Sequence, residues 1–203
     1  MDIKRFLEKL SSDTPTPGGG SASALAGALS ASLVLMTAGL SLKKGKMKER
    51  ELRGINKEVS GIQKRLFRAI EEDAQSYEAV LKAFRLPKST ERERLIRTKA
   101  IQKAFRGATM TPQLVCHHSI QLLEYSKILI LKGNPNAISD VGVAAYLADT
   151  ALKGGMLNIG INLRPVGDPA FRKRMHSWVG KLEKKRKQLM GTIQKNLKEC
   201  LPI

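Results

Sequence analysis

Pro15-Thr16-Pro17-Gly18-Gly19-Gly20-Ser21 is the stretch of this chain best suited to hold a ligand. Two prolines end whatever precedes them, and three glycines let another molecule come close to the backbone. An uncharged run rich in Ala, Ser and Leu follows at once and reads as a helix, with its first N–H groups at the positive end of the dipole. Such an arrangement can hold an anion or a polar heterocycle. A plain entry turn into a buried helix has the same residues, so both readings stand on this segment alone. Cys116-His117-His118 offers the residue types of a metal site. Consecutive helical positions point about 100° apart, however, and do not easily converge on one ion. Helix packing is the expectation there, and no metal site is expected.

Composition narrows the classes. The 203 residues suit one domain, 1–203, with a core that needs no staples. Lys and Arg number 36 against 18 Asp and Glu, a net charge of +18. Such a field attracts nucleic acid, an acidic membrane or a multiply carboxylated small molecule. Aromatic residues make up 4%, which argues against a base-stacking platform. Cys116 and Cys200 form no CxxC pair or disulfide framework, and a reduced, cytoplasmic compartment is expected.

No charge occurs from Thr14 to Leu42, a span long enough to cross a bilayer. Its residues are mainly Ala, Ser, Gly and Thr, weakly hydrophobic for insertion. A helix buried by protein suits them better, because small side chains let neighbours approach. Asp2 to Leu10 reads as a short amphipathic helix with Ile3, Phe6, Leu7 and Leu10 inward, not as a signal peptide. A soluble protein with no membrane partner is expected. One domain of this size has limited core in which to bury the uncharged helix from Ser21 to Leu42, so a homodimer is the natural cover.

The rest of the chain reads as helix. Ile55, Val59, Ile62, Leu66, Ile70, Tyr77, Leu81 and Phe84 recur mostly at three- or four-residue steps, a long amphipathic helix ending before Pro87. Thr90-Glu91-Arg92-Glu93 is a capping box, and Leu95, Ile96, Ala100, Ile101, Ala104 and Phe105 form the next apolar face. Thr111-Pro112 starts another helix, running to Lys132-Gly133. Ser139 or Asp140 begins a short Ala-rich helix that Gly154-Gly155 breaks or bends, and Asp168-Pro169 opens a basic last helix. There Trp178, Leu182, Leu189, Ile193 and Leu197 face inward. The expected fold is all-α, a single-domain, dimerising bundle of six to eight helices.

Several blocks, in order, carry a resemblance. They are Thr14 through Leu29, Asp73-Ala74 through Tyr77 and on to Leu86-Pro87-Lys88, then Gly133-Asn134-Pro135-Asn136-Ala137-Ile138-Ser139-Asp140 with Gly142-Val143-Ala144, and Asn158-Ile159-Gly160-Ile161-Asn162-Leu163. Over roughly residues 5 to 195 the chain resembles the formimidoyltetrahydrofolate cyclodeaminase and methenyltetrahydrofolate cyclohydrolase family. Members of that family often follow the Gly-rich helix with a Gly-Lys-Lys-Lys-Tyr-like segment. Here the text is Leu42-Lys43-Lys44-Gly45-Lys46-Met47, basic but without the tyrosine.

The resemblance implies an all-helical homodimer that takes a tetrahydrofolate derivative as substrate, with no tightly bound cofactor. The family chemistry lies on the one-carbon unit between N5 and N10. Water attacks a 5,10-methenyl bridge in the cyclohydrolase reaction; N10 attacks a formimino carbon and ammonia leaves in the cyclodeaminase reaction. Both need proton transfer at nitrogen or water. Asp140 is the first candidate for the carboxylate that moves the proton, with helix capping as its ordinary alternative. Asp73 is the second, with a solvated carboxylate beside Glu71 and Glu72 as its alternative. Gly18, Gly19, Gly20 and Ser21 are substrate-binding candidates. Asn134, Asn136, Ser139, Asn158, Asn162 and Gln102 are candidates to meet the pterin edge. Lys43, Lys44 and Lys46 are candidates to hold a polyglutamate tail, with Lys44 also a candidate catalytic group. The chain as it stands carries no formiminotransferase domain, which tilts the expectation toward the cyclohydrolase.

The last helix carries the rival reading. Between Phe171 and Glu199 lie ten Lys or Arg against two Glu, with Lys184-Lys185-Arg186-Lys187 the densest run. A basic amphipathic helix can bind nucleic acid or an acidic partner. No recognised nucleic-acid motif accompanies it, so that reading stands second.

Overall fold

Ala, Ser and Gly along one helix set the architecture, because they allow three other helices to close on it. In the computed structural model, which describes residues 2–201, that helix is α2 (Gly19–Lys44), with Ala24, Ala31, Val34 and Ala38 fully buried. It packs on α3 (Glu49–Phe84), α5 (Met110–Lys132) and α6 (Ile138–Leu163). Close approach is visible at single positions. A Cβ on Gly154 would collide with the Ser23 hydroxyl, and one on Gly155 with the Cys116 sulfur. Buried hydroxyls of α2 are satisfied by carbonyls: Ser30 donates to Ala144 at 2.7 Å, Thr37 to Leu33 at 2.8 Å and Ser41 to Thr37 at 2.7 Å.

The remaining elements are α1 (Ile3–Leu10), α4 (Glu91–Ala108), a single 3₁₀ turn at Pro135–Ala137 and α7 (Pro169–Cys200). Seven α-helices and no strand are present among the described residues. The capping box forms at α4: the Thr90 N–H donates to Glu93 at 2.9 Å, and the Glu93 N–H to the Thr90 hydroxyl at 3.2 Å. Asp168 caps α7 by accepting from the Phe171 N–H at 3.0 Å. Leu189, Ile193 and Leu197 are buried on α7, while Trp178 and Leu182 pack partly against the core.

Four expectations fail in detail. The Ala-rich helix is neither short nor broken at Gly154-Gly155; α6 runs unbroken for 26 residues. The two glycines are contact points, at Ser23 and Cys116, and a helix tolerates glycine where packing repays it. On α1 only Phe6 is buried, and Ile3 and Leu7 are exposed. On α4, Leu95 and Ile96 are exposed as well. Finally, Tyr77, Leu81 and Phe84 on α3 and Phe105 on α4 do not join the core but line a cleft.

Candidate active site

The cleft lies at the start of α2. Its volume is about 370 Å³, and Pro15, Thr16 and Gly18–Gly20 form one side of it. Gly18 is the N-cap and supplies no side chain to the free N–H groups of the first turn. Those donors, at the positive end of a 26-residue helix, are left for whatever occupies the cleft. No described glycine has a positive φ. Their value here is the missing side chain: a Cβ on Gly20 would overlap the Asp73 carboxylate.

Asp73 is the carboxyl group of the cleft. It projects from the middle of α3 onto Gly20 and Ser21, and the Ser21 hydroxyl lies 2.8 Å from the Ile70 carbonyl and 3.1 Å from Asp73 Oδ2. Burial pushes the Asp73 carboxyl above the ordinary carboxylate range, against the smaller lowering effect of hydrogen bonds from Ser21. A carboxyl raised in this way is a stronger proton acceptor, once ionised, than an ordinary exposed aspartate.

Two amides complete the polar set. Asn158 donates to the Gly154 carbonyl at 2.9 Å and Asn162 to the Ala108 carbonyl at 2.7 Å. Those bonds fix each amide nitrogen, and both side chains line the cleft. Tyr77, Phe84 and Phe105 supply flat apolar walls; Phe84 and Phe105 meet edge to face with centroids 6.0 Å apart. The lining includes no Lys or Arg, although Arg97 sits over the Phe84 ring, 5.5 Å from its centroid.

A second group of anticipated residues sits at the opposite end of α2. Lys43, Lys44 and Lys46 are exposed there. The Lys46 N–H donates to the Lys132 carbonyl at 2.8 Å, which ties the turn to the end of α5. Asn134 is a structural clamp. Its N–H donates to Ser41 Oγ at 2.9 Å, its amide nitrogen to the Leu40 carbonyl at 3.2 Å, and its Oδ1 accepts from the Asn136 N–H at 3.0 Å. Asn136 and Ser139 are exposed beside it. Asp140 is in the first turn of α6, whose N-cap is Ala137, so the capping alternative to its catalytic candidacy does not hold. Its half-buried carboxylate has no hydrogen-bond or ion-pair partner among the described residues. Asp140 and Asn158 are 18 positions apart on α6, about 27 Å at ~1.5 Å per residue. Within one chain the two carboxylates, Asp73 and Asp140, do not meet.

Gln102 belongs to neither group. Its amide donates to the Pro165 carbonyl at 2.8 Å and accepts from the Gly167 N–H at 2.6 Å, so it clamps the turn before α7. The Cys116-His117-His118 run does not converge. Cys116 is buried, its thiol pushed up to about 12 by desolvation, whereas His117 and His118 line an open groove and His118 pairs with Gln121 at 2.9 Å. No cluster of three metal-ligating side chains occurs among the described residues. The aromatic walls went unanticipated as site residues, because spacing of three and four places marks a covered face without saying whether protein or ligand covers it.

An acid of raised pKa, two fixed amides and an open helix end in one aromatic-walled cleft define an all-α enzyme built around a polar heterocycle. The chain belongs to the formiminotransferase-cyclodeaminase family, whose sequence profile matches residues 2–181. It is 37% identical over 171 residues to methenyltetrahydrofolate cyclohydrolase of Methylorubrum extorquens, covering 83% of this chain and 82% of that protein. It is 28% identical over 182 residues to the mouse formimidoyltransferase-cyclodeaminase, of which it spans about a third (34%). In three dimensions it matches a formiminotetrahydrofolate cyclodeaminase from Thermotoga maritima with a TM-score of 0.87 and 28% identity, covering 98% of this chain and 96% of that one.

Proposed function

We propose that this protein is a methenyltetrahydrofolate cyclohydrolase, with Asp73 as the group that moves the proton. It is a folate one-carbon enzyme of the family just described, and the relative matched over most of both chains carries that activity in its name. The observation that carries the reading is the Asp73 carboxyl, raised by burial and set against Gly20 and Ser21 in a cleft walled by Tyr77, Phe84 and Phe105.

The 5,10-methenyl bridge is a cation, and an ionised Asp73 beside it stabilises the charge. Water adds to the bridge carbon while Asp73 accepts one of its protons, giving a tetrahedral carbon that bears a hydroxyl. Asp73 then returns its proton to N5 as the carbon–N5 bond breaks. The hydroxyl proton leaves to solvent as the formyl carbonyl forms on N10, so one proton is released per turnover. Asn158 and Asn162 present amide oxygens to the donor edge of the pterin, and the first-turn N–H groups of α2 meet its carbonyl. The aromatic walls hold the flat ring. The same groups suit the cyclodeaminase reaction, in which a protonated Asp73 would assist the departure of ammonia.

Absorbance of the methenyl cofactor tests the proposal. Loss of the methenyl band on adding enzyme is the expected result. No loss from the methenyl substrate, with its appearance from 5-formimidoyltetrahydrofolate and ammonia release, would replace the cyclohydrolase with the cyclodeaminase.

A further inference from the structure

Around α3 from the Asp73 cleft lies a second cavity that the proposed reaction leaves unused. It is an open groove of about 650 Å³ between α3, α5 and α7, and it shares no residue with the cleft. His117, His118, Gln113 and Leu114 line it from α5, Arg65 and Glu72 from α3, and Trp178 from α7. Trp178 is the one tryptophan of the chain, and it also lines an adjoining groove of about 500 Å³. There Lys173, Arg174, Ser177 and Lys181 share a face of α7. Arg65, Lys173, Arg174 and Lys181 are exposed, and none makes an ion pair among the described residues. Arg174 is steadied over the Phe171 ring, 5.8 Å from its centroid. The His117 and His118 rings meet edge to face with centroids 5.3 Å apart, and burial lowers the His118 pKa, which keeps that ring neutral near pH 7.

We propose that these adjoining grooves bind a nucleoside polyphosphate, its base against Trp178 and its phosphates on Lys173, Arg174 and Lys181. This site is separate from the folate reaction and does not depend on it. A half-buried indole beside two imidazole rings and Leu114 is a flat surface on which an aromatic base can stack. Gln113 and Glu72 add an amide and a carboxylate, the groups that bond the amino and ring nitrogens of a base. Lys173 and Lys181 are eight positions apart on α7, about 12 Å at ~1.5 Å per residue. Long lysine side chains at that spacing can close on a run of two or three phosphates. An inorganic anion would leave the rings bare, and a neutral aromatic would leave three unpaired cations together. A nucleotide uses both. Each volume is in the ~300–1,000 Å³ range of small-molecule sites. One tryptophan stacks one base, whereas a strand-binding surface sets out aromatic side chains for successive bases. A strand would also draw on Lys195 and Lys198, which lie on α7 outside both grooves.

The lone tryptophan reports on its own site. ATP and GTP added to the full chain should quench Trp178 fluorescence and saturate with a Kd below about 1 mM. Adenosine and inorganic triphosphate should each bind at least ~10-fold more weakly by calorimetry, since each lacks half of the contact. Arg174→Gln with Lys181→Gln should raise the nucleotide Kd by at least ~10-fold. Lys195→Gln with Lys198→Gln removes the same charge outside the grooves and should change it by less than ~2-fold. All four side chains are exposed, so melting should be unaffected in both double variants. No quenching by either nucleotide up to ~10 mM, or inorganic triphosphate as tight as ATP, overturns the proposal. Equal losses in the two double variants would reduce the effect to net charge and overturn it as well. A single-stranded RNA that binds ~100-fold more tightly than ATP and depends on Lys195 and Lys198 would replace the nucleotide site with a nucleic-acid surface.

Discussion

At the scale of single residues, the proposed mechanism makes Asp73 the group that sets the pH behaviour. Its carboxyl must be ionised to take a proton from water, and burial holds its pKa above the usual carboxylate range. The acidic limb of the rate profile should therefore lie above the ordinary aspartate range and vanish in Asp73→Asn, with turnover down by about 10² to 10⁴. Stability has the opposite sign. A carboxyl whose pKa is raised on folding contributes its full stability below the unfolded-state pKa and loses it as pH rises through the raised value. Asp73→Asn should thus melt higher than wild type near neutral pH, with the difference closing by about pH 4, as read by thermal unfolding. A variant less stable at neutral pH would show that the Ser21 contacts outweigh the burial. Asp140 makes the useful contrast. It has no partner whose loss would unfold the protein, and removing its charge from a helix first turn costs only about 0.3 to 1 kcal/mol. Asp140→Asn should leave melting nearly unchanged while slowing turnover by more than ~10-fold. Full activity would leave Asp140 a helix-dipole residue.

At the scale of elements, the meeting of α2 with α3 is set by Gly20. A methyl there would overlap the Asp73 carboxylate, so Gly20→Ala must either displace Asp73 or separate the helices. The expected cost is about 1–3 kcal/mol of stability, together with most of the activity. Combining Gly20→Ala with Asp73→Ala should restore stability but not turnover, because the clash is between those two groups. A double-mutant cycle by thermal unfolding measures this, and strictly additive losses would sink the explanation. Element boundaries were legible where chemistry marks them. The Thr90–Glu93 box and the Asp168-Pro169 cap each form as their residues dictate. The fate of Gly154-Gly155 was not legible, since a glycine pair reads equally as a break or as a place where helices touch, and here the touching side chains, Ser23 and Cys116, are distant in sequence. The Gly-rich loop could be named from residue type alone, and the amides of Asn158 and Asn162 from residue type together with the family resemblance. That they share a cleft with Asp73, while the lysines and Asp140 do not, depends on two long helices, α2 and α6, and on the surfaces that close on them.

At the scale of the whole molecule, the +18 charge asks for a purpose. Within the densest basic run, Arg186 pairs with Asp149 and Glu183, each at 2.7 Å, and Lys185 with Glu124 at 2.7 Å, while Lys184, Lys185 and Lys187 stay exposed. Only Arg186 of the ten basic residues on α7 is half-buried; the other nine are exposed, so most of the charge of α7 faces outward. Lys43, Lys44 and Lys46 are exposed together at the C-terminal end of α2. A folate with several glutamates adds one carboxylate per residue and should be favoured by that field. The expectation is that a pentaglutamate form binds about 10-fold more tightly than the monoglutamate at low salt, where charges act over ~30 Å, and that the ratio approaches one near ~1 M salt. Replacing the three lysines with glutamine should remove most of the advantage at low salt. Replacing Lys181 and Lys184 on α7 should leave it, because the advantage belongs to that lysine cluster and not to the total charge. Titration calorimetry of both folates across a salt series reads all of these. Equal affinities at low salt would show that the charge serves something other than the substrate's tail.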